Sequence, residues 1–282
     1  MDVFYNCIDA GSKYCPCELA DSLNCISCSH LNGKDYCDCN WNGVCILYEY
    51  YMNNMESKDH RKSYRGLVID KKNLGDNLYL LKIKTKENLI EEMDIVGSYV
   101  FVNKFKDKSY YNAPMSLSYM DKEHIYIVYD EIGPKTKGIS KGDILGIKGP
   151  YFNGIIGGKR LSNIKNSNIL ILGRGLGQSS IILPIEKLKR ENEIYLFLDK
   201  GKTSSTYALD FIENENVCVR EIDFFEDKGE KELLIFLKEN KIDIVFSAGS
   251  EMLQRKVKSI NTISILFSLR NISNSFSPLS SI

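Results

Sequence analysis

The apolar positions of this chain change rhythm twice. Between about residues 60 and 155 they alternate with polar ones in short runs: YRGLVID, NLYLLKIKT, GSYVFVNK, EHIYIVYD and GDILGIKG. Period-two alternation in β-branched and aromatic runs, punctuated by Gly, Asn, Asp and Lys clusters, predicts strands. A succession of such strands without helical stretches predicts an antiparallel barrel or sandwich. From about 165 to 267 the runs NILIL, EIYLFLD, VCVREID, IDIVFS and ISILF are separated by IILPIEKLKREN, TYALDFIEN, GEKELLIFLKEN and SEMLQRKVKSI, whose apolar spacing is helical. Strand alternating with helix predicts βαβ units around a parallel sheet.

The two ends follow neither rhythm. Residues 1–50 hold few long apolar runs and many turn formers, too little for a core without a metal or cross-links. Residues 268–282 are polar and Ser/Asn-rich, and read as a disordered tail. The expected organisation is therefore a cysteine-rich segment (1–50), a β-barrel (60–160), an α/β domain (165–267) and the tail (268–282).

Composition narrows the functions. The chain has 282 residues, 43% hydrophobic and 26% charged, with a formal net charge of zero. A phosphate-binding surface normally shows a basic excess, so there is no electrostatic case for nucleic acid or an anionic membrane. No apolar run approaches the ~20 residues that span a bilayer. MDVFYNCIDAG has neither a basic n-region nor an apolar h-region, which points to a reducing, cytoplasmic compartment.

Eight of the nine cysteines lie within the first 45 residues: Cys7, Cys15, Cys17, Cys25, Cys28, Cys37, Cys39 and Cys45. Thiols at such spacings are cross-linked or bind metal, and a reducing compartment favours metal. Cys25 and Cys28 form a C-x-x-C that grips one metal from a turn. Cys15/Cys17 and Cys37/Cys39 are each two apart, and on an extended backbone such pairs serve two sites. The expected ligands are Cys15, Cys17, Cys25, Cys28, Cys37, Cys39 and Cys45. An iron–sulfur cluster takes four thiolates, and structural zinc takes thiolates or an imidazole such as that of His30. The lone Trp41 is expected to pack over this region. His60 and His124 are isolated and read as satisfied surface residues.

The second candidate is Gly173-Arg174-Gly175-Leu176-Gly177-Gln178, which leaves a buried strand and opens a helix. Glycines there let backbone N–H groups approach a pyrophosphate, and the helix N-terminus adds positive potential. Gln178 stands where a third glycine completes the dinucleotide fingerprint. Asp199 ends the next strand, where an acid meets a ribose hydroxyl, with Lys200 and Lys202 beside it for a 2′-phosphate. Pro184 is tolerated if the helix starts near Ser180 or Ile181.

The β region carries Ala113-Pro114-Met115-Ser116 and Gly142-Asp143, Gly149-Pro150 and Asn153-Gly154. In this order, barrel first and Gly-rich turn after, the chain resembles the ferredoxin–NADP reductase superfamily. Within it the chain is similar to the electron-transfer subunits of dihydroorotate dehydrogenase and sulfide dehydrogenase. The resemblance implies an FAD-binding barrel and an NAD(P)-binding α/β domain. It places FAD at Pro114, Met115, Ser116, Gly133, Thr136, Gly149, Asn153 and Gly154. It places NAD(P) at Gly173, Gly175, Gly177, Asp199 and Gly249. Ala113 replaces an arginine that pairs with the FAD pyrophosphate in the family. The family's Cys-Gly-Pro is Ala248-Gly249-Ser250 here, and its C-terminal [2Fe–2S] segment has no cysteine counterpart in this tail.

The resemblance implies an oxidoreductase subunit passing electrons between NAD(P)H, FAD and an iron–sulfur centre, with a heteromeric redox partner. A redox neighbour favours iron–sulfur over zinc for the N-terminal thiols. No side chain is required as a nucleophile, so no catalytic residue is assigned. The alternative is a non-enzymatic, zinc-stapled binding or regulatory module on a degraded reductase fold.

Overall fold

The computed structural model describes residues 7–58, 61–105, 107–108, 112–156, 158–212, 216–259 and 264–268, for 159–160 and 264–268 the backbone only. The chain divides into two compact units, one up to Lys62 and one from Ser63 onward.

The first unit is mostly turns. It contains helix α1 (Glu18–Asp21), a 3-10 turn (His30–Asn32) and helix α2 (Ile46–Met52). Cys15, Ala20, Cys28, Leu31 and Ile46 form its small buried cluster, with Cys25, Trp41, Leu47 and Tyr50 against it. Two of its five buried members are thiols, as expected where apolar side chains are scarce.

The second unit opens with strands β1 (Ser63–Gly75) and β2 (Leu78–Lys84), helix α3 (Glu87–Glu92) and strand β3 (Tyr99–Lys104). Strands β4 (Ala113–Ser116), β5 (Tyr119–Met120), β6 (His124–Asp130) and β7 (Ile144–Tyr151) follow. They build a seven-stranded antiparallel, barrel-like sheet in the order β4-β3-β7-β1-β2-β6-β5. Leu117 N donates to Ser98 O and Ser118 N to Tyr126 O, so one short segment bridges from the β3 side to β6. Inward positions on alternate residues, among them Val68, Ile83, Val100, Val102, Ile125 and Ile147, make the core. That is the alternation read from the sequence.

Strand β8 (Ile155–Ile156) and helix α4 (Gly158–Ser162) lead into the parallel half: β9 (Asn168–Arg174), α5 (Ser179–Leu188) and β10 (Glu193–Asp199). Then come β11 (Val217–Glu221), α6 (Asp227–Glu239), β12 (Ile244–Ala248), α7 (Glu251–Ser259) and β13 (Ser264–Ser268). The sheet order is β11-β10-β9-β12-β13-β8, parallel except for β8. Ile169 and Ile171 of β9 face one layer with α5, while Leu170 and Leu172 face the other with α6 and α7. A strand covered on both faces has no polar side to present, which is why NILIL is continuous rather than alternating.

Two local expectations change. TYALDFIEN is a 3-10 turn over Tyr207–Phe211 rather than a helix, because two side-chain anchors hold it. Tyr207 OH donates to Leu176 O at 3.1 Å, and Ala208 N donates to Gln178 Oε1 at 3.3 Å. Pro184 is interior, since α5 begins at Ser179 rather than at Ser180 or Ile181. The proline is buried, so burial of its ring offsets the lost hydrogen bond. The predicted tail lies outside the described residues except for Ser268, which ends β13, and so does His60.

The halves of this unit share apolar contacts. Leu183 of α5 joins the core of the antiparallel sheet. Leu78, Leu80, Val128 and Tyr207 form another buried cluster, with Leu176 and Phe211 against it. Leu80→Ala is expected to cost about 2–4 kcal/mol, as for other buried large-to-small changes, read as a shift of the urea midpoint. An unshifted midpoint would show that this seam carries no stability.

Candidate functional site

The sheet order reverses at β9. The chain runs β9-β10-β11 to one side and returns to β12 and β13 on the other. In open α/β sheets ligands bind at the carboxyl ends of the strands beside such a switch point. The predicted NAD(P) residues converge there. Gly177 is pressed against Ala248 and Gly249, where an added Cβ would sit 2.5 Å from Ala248 C and 2.6 Å from Gly249 N. Gly175 has φ +56°, open to glycine at no steric cost. Gly173, Gly175, Gly177, Asp199 and Gly249 therefore share one end of the sheet.

Their roles differ. Gln178 is fully buried and wedges the turn in place, donating through Nε2 to Asp199 O at 3.3 Å. The missing third glycine is thus filled by a side chain that ties β9 to β10. Asp199 is buried, and its carboxylate is already occupied. Oδ2 accepts from Arg174 Nε at 2.7 Å and Phe224 N at 3.1 Å, while Oδ1 accepts from Gly201 N at 2.7 Å. Arg174 lies across the site mouth, its guanidinium 4.6 Å from the Phe225 ring centroid. Lys200 and Lys202 are exposed beside it.

On the antiparallel sheet, β4 alternates. Ala113 and Met115 point into the core, whereas Pro114 and Ser116 take the other face. Pro114 pairs with Phe101 and Ser116 with Tyr99. Tyr99 stacks on Tyr151 with centroids 5.2 Å apart, and Phe101 meets Tyr151 edge-on at 5.1 Å. Gly154 N donates to Gly97 O, and a Cβ on Gly154 would stand 3.3 Å from Tyr99. Pro114, Ser116 and Gly154 are thus gathered around one half-buried aromatic face. Gly149 points inward against Val100, and Asn153 is exposed.

The turn Gly133–Thr136 follows β6. Thr136 is buried with its hydroxyl donating to Asp130 O at 3.3 Å, and Gly133 faces open space. Lys135 Nζ donates to Asn112 O at 3.2 Å, which sets a cation at the start of β4. Ala113 itself is in the core, so a charged side chain at that position is not what the fold presents. His124 is satisfied by Asp121, with Nδ1 2.9 Å from Oδ1, as the sequence suggested.

In the first unit, Cys7, Cys15, Cys17 and Cys25 line one cavity with Asp9, Tyr14, Leu19, Ile26 and Ile46. Cys15 and Cys17 do not face apart. The chain bends at Pro16 and both thiols line the same cavity, so the reading in which the pair serves two sites fails. Cys37 and Cys39 likewise place their sulfurs 3.9 Å apart. Cys28 is buried, Cys28 N donating to Cys25 Sγ at 3.4 Å, while Cys37 and Cys45 are exposed. His30 uses Nδ1 on Lys34 O at 3.1 Å. Trp41 covers Gly11 and Gly43 and donates Nε1 to Val44 O at 2.8 Å. Among the described residues, no three His, Cys, Asp or Glu side chains converge as a single ion requires.

Burial pushes the Cys15 thiol up to about 11, with the Gly11 backbone opposing. Burial also raises Cys7, partly offset by the Asp9 backbone, and Cys28, partly offset by the Leu31 backbone. The thiolate is the nucleophile, so a raised pKa and low access both slow alkylation. In metal-free protein at pH 8, exposed Cys37, Cys45 and Cys218 are expected to take iodoacetamide first, and Cys15 and Cys28 last. Mass spectrometry of timed samples checks the order, and early labelling of Cys15 would contradict the buried geometry.

Sequence reasoning missed Cys7, Arg174, Phe225, Lys135 and the Tyr99–Tyr151 pair. Only Cys7 had a signal, its place in the thiol spacing. The others are recruited by partners far away in sequence.

No family model matches the chain. It is 27% identical over 161 residues to the electron transfer subunit of dihydroorotate dehydrogenase B (NAD(+)) from Caldanaerobacter subterraneus subsp. tengcongensis, covering 55% of this chain and 61% of that protein. It is 28% identical over 152 residues to the gamma subunit of sulfhydrogenase 2 from Pyrococcus furiosus, covering 52% and 47%. The chain thus spans about half the length of the curated relatives it matches, 47–61%. The solved NADH-dependent reduced ferredoxin–NADP oxidoreductase superposes with a TM-score of 0.60 at 18% identity, covering 73% of this chain and 76% of that one. Phthalate dioxygenase reductase gives 0.51 at 10% identity, covering 72% and 68%. The fold is ferredoxin reductase-like, as the sequence order implied.

Proposed function

We propose that this chain is a flavoprotein oxidoreductase subunit that passes electrons between NAD(P)H, FAD and an iron–sulfur centre. The observation that carries the reading is the pairing within one unit of two built ends. The Gly-rich turn sits at the switch point, and its Leu176 packs against the antiparallel sheet. Names of the relatives, an NAD(+)-linked electron transfer subunit and a sulfhydrogenase gamma subunit, support it.

The chain's residues fit both cofactors. Pro114 and Ser116 offer one face beside an aromatic patch, open at Gly133. Lys135 supplies a cation close to the start of β4, where the family arginine is absent. Bound FAD would supply the switch between hydride and single-electron transfer. The start of α5, with Gly175 and Gly177 before it, offers backbone N–H groups to a pyrophosphate. Exposed Lys200 and Lys202 accommodate a 2′-phosphate, while Asp199 is committed within the fold.

By the same reading the N-terminal thiols hold the iron–sulfur centre, and a heteromeric partner receives the electrons. Clustered thiols fit a reducing, cytoplasmic setting. Among the described residues no helix is long and apolar enough to cross a membrane.

Anaerobically purified protein is expected to show flavin absorbance and NAD(P)H-driven dye reduction, both lowered in Ser116→Ala. A colourless chain carrying stoichiometric zinc would overturn the reading in favour of the binding module. Lys135→Ala is expected to weaken FAD about tenfold, ~1.4 kcal/mol, in line with a lost charge-assisted contact. Flavin fluorescence quenching on titration measures it, and unchanged affinity would remove Lys135 from the site.

A further inference from the structure

We propose that Cys7, Cys15, Cys17 and Cys25 are together the ligand set of one four-thiolate iron–sulfur cluster, seated in the cavity they line. This rests on the reading that the N-terminal unit carries an iron–sulfur centre, and it assigns the ligands. It also brings in Cys7, which the sequence pattern had left out.

The first observation is convergence. These four thiols reach one cavity from separate turns, and no other cysteine lines it. Their spacing is symmetrical, C-x7-C-x-C-x7-C. Cys15 and Cys17 share a site because the chain bends at Pro16 between them. Cys25 is pinned by Cys25 N donating to Leu31 O at 3.0 Å and by Asn32 Nδ2 donating to Cys25 O at 3.0 Å.

The second observation is sulfur-directed backbone. Cys28 N points at Cys25 Sγ, at 3.4 Å. Hydrogen bonds of this kind hold cluster thiolates and tune them. The third is the wall. Buried Ile46, with Leu19 and Ile26 at the exposed rim, supplies apolar surface beside the thiols, and Asp9 at the wall is paired with Arg61. Arg61, 12% exposed, is bonded to Asp9 and stacks 4.3 Å from the Tyr14 ring centroid. Paired with Arg61, the Asp9 carboxylate brings no uncompensated negative charge of its own beside the four thiolates.

A cluster suits this arrangement better than zinc. One zinc ion draws its four ligands to ~2.3 Å from a single centre. A cluster places several iron and sulfide atoms between its thiolates and so accepts ligands set further apart.

The test is anaerobic reconstitution of the full chain with iron and sulfide, followed by iron and acid-labile sulfide per chain. Cys7→Ser and Cys17→Ser are each expected to lose this cluster's iron and sulfide, which is half of the total if the other thiols hold a second cluster and all of it if they do not. Cys218→Ser, on exposed β11, should match wild type. Far-UV circular dichroism of the metal-free variants separates ligand loss from misfolding. Cys17, less buried than Cys15, carries the test if Cys7→Ser does not fold. Full iron and sulfide in a folded Cys7→Ser or Cys17→Ser would overturn the ligand assignment alone. A wild type that takes up zinc without sulfide, or no metal, would overturn the assignment and the iron–sulfur reading together.

Discussion

Asp199→Ala is expected to destabilise the chain by about 3–5 kcal/mol, the range for breaking a buried ion pair by removing one partner. The carboxylate receives Arg174 Nε, Gly201 N and Phe224 N, and the side chain is 3% exposed. Its loss strands two backbone donors and one guanidinium at a single point. Arg174, 23% exposed, can turn partly to solvent, so the lower half of the range applies. Urea denaturation gives the stability change, and NADH and NADPH titrations give affinity separately. A residue that reads a ribose hydroxyl would change affinity and leave the midpoint alone. A stability loss below about 1 kcal/mol would therefore restore the ligand-reading role to Asp199.

Gly177→Ala is expected to impair the proposed nucleotide end more than any other single methyl there. The added Cβ meets backbone of Ala248 and Gly249, which cannot rotate aside as a flexible side chain would. Overpacking of this kind costs about 1–3 kcal/mol. Relieving it means parting β9 from β12 at their carboxyl ends, where the pyrophosphate is proposed to lie. A rise in KM for NAD(P)H of about tenfold or more is expected with kcat less affected, as when binding alone is lost. Alanine at Gly158, in α4 and outside both proposed sites, is the matched control for an added methyl, because its Cβ would meet nothing closer than 3.6 Å. Equal KM for Gly177→Ala and wild type would place the nucleotide elsewhere.

These two residues differ in how much of their role is local. Gly177 was singled out by its strand–turn–helix setting, a local signal, and the fold put it at the switch point. Asp199 was singled out by the same local rule. Its donors come from Arg174 and Phe224, each 25 residues away, and no local pattern reports which of them arrives. The thiols divide the same way. Crowding of eight cysteines is plain in the sequence, but the sequence does not report the bend at Pro16 that carries Cys15 and Cys17 to the same cavity. The structure turns the chain there and groups Cys7, Cys15, Cys17 and Cys25 on one cavity.

By itself the sequence determined the order of the chain: a thiol-rich start, an antiparallel sheet, then a parallel one with its Gly-rich turn. It could do so because strand and helix periodicity are properties of neighbouring residues facing one core. Only the tertiary structure decided the direction of individual side chains: Ala113 inward, Pro114 and Ser116 outward, Asp199 bound within the fold, Lys135 at the start of β4. Those directions depend on partners brought from distant segments by packing, so spacing along the chain does not contain them.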